Sequence, residues 1–161
     1  MSTLNVSLES PQSGWMSLRL RADEQSLVMG ASCAPYDSLL DLIKGLTAIL
    51  EGSRHGRVRW NCEPEQFDFD IAAEGDMAQL IVTRYPNHYR DAQASQFVFS
   101  LHTSRLDLCL PFWKELRGLE RRAETDVFEQ NWRRPFPRHE MQEFTRLVRK
   151  LQREMRRSRP L

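Results

Sequence analysis

The sequence predicts one α+β domain that spans residues 1–161. Several short stretches alternate apolar and polar residues, which is typical of half-buried strands. Two longer stretches carry apolar residues three or four positions apart, which is typical of amphipathic helices. The length of 161 residues is close to that of a usual single domain. We expect an antiparallel sheet of five to seven strands, arranged as a meander, with one early amphipathic helix and two or three C-terminal helices.

Three short strands are predicted before the early helix. Residues 4–8 alternate apolar and polar side chains, and residues 16–21 do so again after a turn. The polar residues 22–25 separate this second strand from the apolar run 27–29. We expect that run to form a hairpin with the strand before it.

The early helix is predicted to begin at Ser38 and to end before Gly52. Ser38 and Asp41 resemble a capping box, with Asp in place of the usual Glu. Gly52 suits the position after a helix, where a positive φ is common. Gly45 lowers the helix propensity, which indicates a close packing contact at that point. One continuous apolar stripe is formed by Leu39, Leu42, Ile43, Leu46, Ile49 and Leu50.

A second group of strands is predicted after this helix, over residues 58–62, 67–71, 80–85 and 97–101. Short turns separate most of them, which favours antiparallel neighbours. The alternation predicts that one face of the sheet is apolar and the other solvated. The apolar face is expected to carry Trp60, Phe67, Phe69, Phe97 and Phe99.

The C-terminal third is predicted to be helical. Ser104 and Asp107 form a second possible cap, and Pro111 predicts that this helix either kinks or begins nearby. Residues 128–137 are a connector rich in aromatic residues and proline, whose rings are expected to close the core. The last helix is predicted from about Arg138 to Arg157, with an apolar stripe that includes Met155.

The chain is expected to be cytoplasmic and to have no membrane partner. Its N-terminus lacks the basic and apolar regions of a signal peptide, and no apolar run is long enough to span a bilayer. The three cysteines, Cys33, Cys62 and Cys109, are odd in number and far apart. They indicate small core residues in a reducing compartment rather than disulfides or a zinc site.

The sequence contains no glycine-rich phosphate loop, no G-x-S-x-G elbow and no H-E-x-x-H helix. His139 and Glu140 begin like the last motif, but Glu143 stands where the second histidine is needed. The other histidines lie in or beside separate loops and strand ends. We therefore expect a protein without enzymatic activity, cofactor or metal. The alternative is an enzyme whose active site has no recognised motif.

The polar face of the second group of strands is one candidate binding surface. Arg57 and Arg59 lie on the polar side of one strand, and Asp68 and Asp70 on the polar side of the next. These charges could simply be cross-strand ion pairs on a solvated face. They could also form a mixed-charge surface that recognises a protein partner.

The basic face of the last helix is the second candidate. Residues 131–161 carry ten Arg or Lys and three Glu, whereas residues 1–130 have a net charge of −6. Arg149, Arg153 and Arg156 lie opposite the apolar stripe. This face could be solvated, bind an acidic protein partner or serve a nucleic-acid-associated protein. The acidic body, the pI of about 7.8 and the lack of aromatic residues among the arginines argue against nucleic acid.

The order of elements, with Phe128, Trp132, Phe136 and Pro137 before a closing amphipathic helix, resembles that of small bacterial proteins. Some proteins of that sort are similar to the immunity proteins of polymorphic or contact-delivered toxin systems. This resemblance implies a cytosolic, non-enzymatic protein that binds and neutralises one cognate toxin. It carries over no toxin-contacting residue, and it leaves the oligomeric state open.

Overall fold

The computed structural model describes residues 2–160 and has the α+β architecture that the sequence predicts. Within these residues the strands are β1 Asn5–Leu8, β2 Trp15–Ala22, β3 Gln25–Ser32, β4 His55–Asn61, β5 Gln66–Glu74, β6 Met77–Tyr85 and β7 Gln96–Ser104. The helices are α1 Ser38–Leu50, α2 Arg105–Arg122, α3 Phe128–Trp132 and α4 Arg138–Arg157. None of the helices in residues 2–160 has the length and apolar character needed to cross a bilayer.

The strands form two antiparallel sheets rather than a single one. One sheet has the order β1–β2–β3 and the other the order β4–β5–β6–β7. Strands joined by short turns are neighbours, so the meander that the sequence predicts is present within each sheet. The break between the sheets coincides with α1, because this helix carries the chain away from β3 before β4 begins.

Helix α1 packs closely on β4, and Gly45 is the point of contact. A Cβ atom on Gly45 would lie 2.7 Å from Val58 Cγ2 and 3.5 Å from the Arg57 carbonyl oxygen. The prediction of a close approach at this glycine is therefore confirmed. Leu46, the next residue, is buried together with the rest of the apolar stripe.

The start of α1 differs from the predicted capping box. Asp37 is the N-cap, and its carboxylate accepts a hydrogen bond from the Leu40 N–H at 3.2 Å. Ser38 lies within the helix, where its hydroxyl accepts a hydrogen bond from the Asn61 N–H of β4. The prediction was thus wrong by one residue, because Ser38 connects the helix to the sheet.

The remaining helices complete the core. Helices α1 and α2 contact the inner face of the four-stranded sheet, and α4 packs on α1 and α2. Ser104 caps α2 as predicted, and Pro111 is accommodated within one continuous helix. Helix α4 has the predicted bounds, but Met155 is exposed because the last turns extend past the core. The connector closes the core as predicted, with Phe128, Trp132 and Phe136 buried.

The side chain of Gln25 joins the two sheets at one edge. Gln25 Nε2 donates a hydrogen bond to the Ser100 carbonyl at 2.8 Å, and Gln25 Oε1 accepts one from the Ser100 N–H at 2.8 Å. The side-chain amide thus acts as a short neighbouring strand for β7, which is an edge strand of its sheet.

Gln25→Ala is expected to lower the free energy of unfolding by about 1 kcal/mol, since two hydrogen bonds are lost at a site where water can partly replace them. The measurement is a urea midpoint. Gln79→Ala, which removes an exposed glutamine from β6, is the control and should have an effect within about 0.5 kcal/mol. Equal effects of the two changes would show that the amide does not join the sheets.

Candidate protein-interaction surface

Two rows of side chains cross the outer face of the four-stranded sheet, which is the face turned away from α1 and α2. Directly paired residues of neighbouring strands place their side chains on the same face. The first row consists of Arg59, Asp68, Thr83 and Phe97. The second row consists of Arg57, Asp70, Ile81 and Ser100. The first row spans about 14 Å, given the usual spacing of strands.

Asp68 lies at the centre of the outer face and is fully buried. Its carboxylate accepts hydrogen bonds from Arg57 Nη2 at 2.8 Å and from Arg90 Nε at 3.0 Å. The sequence placed Asp68 correctly on the polar side of β5, but its exposure to solvent was predicted wrongly. The two guanidinium groups cover it, so Asp68 holds these arginines in place.

Arg90 holds the loop of residues 86–95 against the outer face through hydrogen bonds. Its Nη2 atom donates hydrogen bonds to Asp68 Oδ1 at 3.2 Å and to Gln66 Oε1 at 3.2 Å. The Tyr36 hydroxyl donates to the same Gln66 oxygen at 3.0 Å. The loop β6–β7, strand β5 and the segment before α1 are thereby joined in one polar network.

Hydrogen bonds and ring contacts also restrain the other charged side chains of the outer face. The Asp68 hydrogen bonds raise the pKa of Arg57 and of Arg90 above the ordinary arginine value, so both stay charged. The guanidinium carbon of Arg59 lies 4.3 Å from the centroid of the Tyr36 ring, in a cation–π contact. Arg57 and Arg59 are therefore held in place while about half of each side chain stays exposed.

A β-bulge turns Phe97 towards solvent. Val82 pairs with Phe99, but Thr83 pairs with Phe97, so Val98 is an extra residue in β7. The strict alternation of the sequence predicted that Phe97 and Phe99 share the apolar face. That prediction was wrong for Phe97, because the extra residue moves it to the outer face, where it is 82% exposed.

Tyr89 is a second aromatic ring exposed near the network, on the loop that Arg90 holds. The ring centroids of His88 and Tyr89 are 4.1 Å apart. Four residues of this surface were not predicted from the sequence, namely Tyr36, Gln66, Tyr89 and Arg90. They lie in loops or at a strand end, and no periodic pattern indicates which strand residue a loop side chain contacts.

The arginines of the last helix lie elsewhere on the molecule. Arg149, Arg153 and Arg156 are exposed on α4, which packs behind α1 and α2. The residues that the sequence suggested for partner binding therefore form two separate surfaces. Arg57, Arg59 and Asp70 belong to the outer face, and the α4 arginines belong to the opposite side.

The cysteines and histidines contribute no further cluster. Burial raises the pKa of the Cys62 thiol to about 12 and also raises that of Cys109, so both thiols are protonated at neutral pH. The four histidines are all exposed and lie apart along the chain. In the part of the chain that the structure describes, no group of three or more His, Cys, Asp or Glu residues is placed to hold a metal ion.

Comparison with known proteins assigns the chain to no family. It matches no family model, no curated protein and no solved structure. The outer face therefore supplies the observations from which a function is inferred.

Proposed function

We propose that the chain is a non-enzymatic protein-binding module whose partner binds to the outer face of the four-stranded sheet. The observation that carries this proposal is Phe97, a ring that the bulge at Val98 turns to solvent. Because its ring is exposed, Phe97 adds no buried apolar surface to the fold. Bulges commonly redirect a side chain at a functional site. Burial of this ring against a partner would remove its apolar surface from water, which is favourable for binding.

The residues beside Phe97 are of the types that dominate protein interfaces. Arginine and aromatic side chains are enriched at interface positions that contribute most to affinity. Arg57 and Arg59 remain about half exposed, although Asp68 and Tyr36 hold their guanidinium groups. Because they are already ordered, they lose less side-chain entropy on binding than free arginines would.

The chemistry of the outer face indicates the partner surface that fits it. Phe97 and Tyr89 require an apolar pocket, and the exposed guanidinium groups require carboxylates placed beside it. Asp70, which is also exposed, requires a cation. Complementary charges of both signs favour one partner over others and set its orientation. In line with the resemblance to immunity proteins, we propose that this partner is a cognate bacterial toxin, which binding neutralises.

A photo-crosslinking amino acid at position 97, introduced in the native host, tests where the partner binds. We expect a covalent adduct with one protein at position 97 and none at position 130, where exposed Gln130 of α3 is replaced in the same way. The cross-linked protein is then purified and its affinity measured directly. Equal labelling at both positions would contradict the proposal.

Phe97→Ser is expected to weaken binding of that purified partner by about tenfold or more, which corresponds to about 1.4 kcal/mol. The melting temperature should stay unchanged, because the ring is exposed in the folded chain. Val28→Ser is the matched control, since it removes another exposed apolar side chain from the three-stranded sheet. If Phe97→Ser weakens binding no more than Val28→Ser, the outer face is not the interface.

A further inference from the structure

A groove of about 420 Å³ runs between α2 and α4, on the side of the molecule opposite to the outer face. It is lined by Arg117 and Glu120 of α2 and by Thr145, Arg146, Arg149 and Arg153 of α4. It combines two of the arginines that the sequence suggested for binding with residues of a second helix. The basic face of α4 is therefore one wall of a concave site.

The charges in this groove are only partly neutralised within the chain. Arg117 pairs with Glu120, and Arg146 pairs with Glu143. Among residues 2–160, no carboxylate lies within ion-pair distance of Arg149 or Arg153. Two guanidinium groups thus face the groove with their hydrogen-bond donors unused by the protein.

The placement of these two arginines is unfavourable for an isolated helix. Arg149 and Arg153 are four residues apart on α4, and like charges at that spacing repel each other. Arg157 continues the row one turn further, beyond the end of the core. An anionic occupant that contacts both groups would relieve the repulsion and use the free donors.

We propose that the groove between α2 and α4 binds an acidic segment of a protein partner. Carboxylates accept bidentate hydrogen bonds from arginine, which suits the free groups of Arg149 and Arg153. The α4 wall from Gln142 to Arg153 is about 17 Å long, which accommodates about five extended residues. The groove shares no residue with the outer face, so loss of binding at one surface would leave the other intact.

The lining of the groove favours a protein segment over a nucleic acid. Glu120 lines the groove, and Glu143 pairs with the lining residue Arg146, so both carboxylates would repel a continuous row of phosphates. None of the residues that line the groove is aromatic, so its walls offer no ring for base stacking. An acidic peptide can place its carboxylates at the two free arginines and neutral side chains beside the glutamates.

The test uses a fluorescein-labelled peptide of about 12 residues with the repeat Glu-Glu-Leu, a length that covers the groove. Fluorescence anisotropy at physiological ionic strength should show binding that Arg149→Gln/Arg153→Gln weakens by about tenfold or more. Trp113 provides a second readout, because its Nε1–H donates to Thr145 Oγ1 at 3.0 Å and Thr145 lines the groove. Peptide binding should change the tryptophan emission of the native protein, and Trp113→Phe should abolish that change.

Arg19→Gln/Arg21→Gln is the matched control, because it removes the same charge from exposed positions of β2. It should leave peptide affinity unchanged, and Phe97→Ser should do so as well. If the Arg19/Arg21 double variant loses as much peptide affinity, the effect comes from net charge alone and the proposal is overturned. Labelled duplex DNA that binds as tightly as the peptide, with the same dependence on Arg149 and Arg153, would assign the groove to nucleic acid. Absence of peptide binding would also overturn it.

Discussion

Leu46→Ala is expected to lower the free energy of unfolding by about 2–5 kcal/mol, the range for truncation of a buried leucine. Leu46 is 1% exposed and lies in the middle of the α1 stripe. Its neighbour Gly45 already brings the helix backbone against β4, so the helix cannot move closer to fill the space. The loss is a large fraction of a typical total stability of about 5–15 kcal/mol.

Urea unfolding of the wild type and the variant measures this loss, with equal slopes as the check for two-state behaviour. Lys44→Ala is the control, since Lys44 is exposed on the same helix and should change stability by no more than about 0.5 kcal/mol. A loss below about 1 kcal/mol for Leu46→Ala would mean that Leu46 is not packed in the core.

Asp68→Asn is expected to lower the free energy of unfolding by about 1–3 kcal/mol and to release the loop of residues 86–95. Breaking a fully buried ion pair costs about 3–5 kcal/mol because a charge is left unpaired. The loss here is smaller, since the side chains of Arg57 and Arg90 are 58% and 25% exposed and can be rehydrated. The loop should become mobile because Arg90 loses its charged partner.

Two measurements separate these effects: a urea midpoint for stability, and the rate of tryptic cleavage after Arg90 for loop mobility. Asp70→Asn is the matched control, because Asp70 is 54% exposed and lies 3.7 Å from Arg57 Nε. It should change stability by no more than about 0.5 kcal/mol and leave cleavage unchanged. If the two variants behave alike, Asp68 does not organise the outer face.

Helices α1 and α4 could be predicted well from the sequence because each shows a long apolar period, whereas the five-residue α3 lies in a segment predicted as a connector. The bounds of α4 and the contact at Gly45 followed from that period and from glycine geometry. The division into two sheets could not be predicted in this way. Alternation shows that a segment is a strand, but it does not show which strand forms its neighbour.

On the outer face, alternation in the sequence predicted the position of some residues but not of others. The polar side of β4 and β5 followed from alternation, but the register that pairs Arg57 with Asp70 did not. The burial of Asp68 depends on Arg90, which is 22 positions away in a loop without any periodic pattern. The exposure of Phe97 depends on one extra residue in β7, Val98, which places Phe97 and Phe99 on opposite faces of the sheet. The residue types of the strand do not reveal this bulge.

The outer face also keeps the residues that specify the fold apart from those that would specify the partner. Phe97 and Tyr89 are exposed to solvent, whereas Asp68 and Gln66 are buried in the polar network that Arg90 covers. Exchange of either aromatic ring removes no packing from the core, so its effect on folding is small. Related chains could therefore change partners through a few surface substitutions while they keep the same fold. Binding specificity could then diverge faster than the fold.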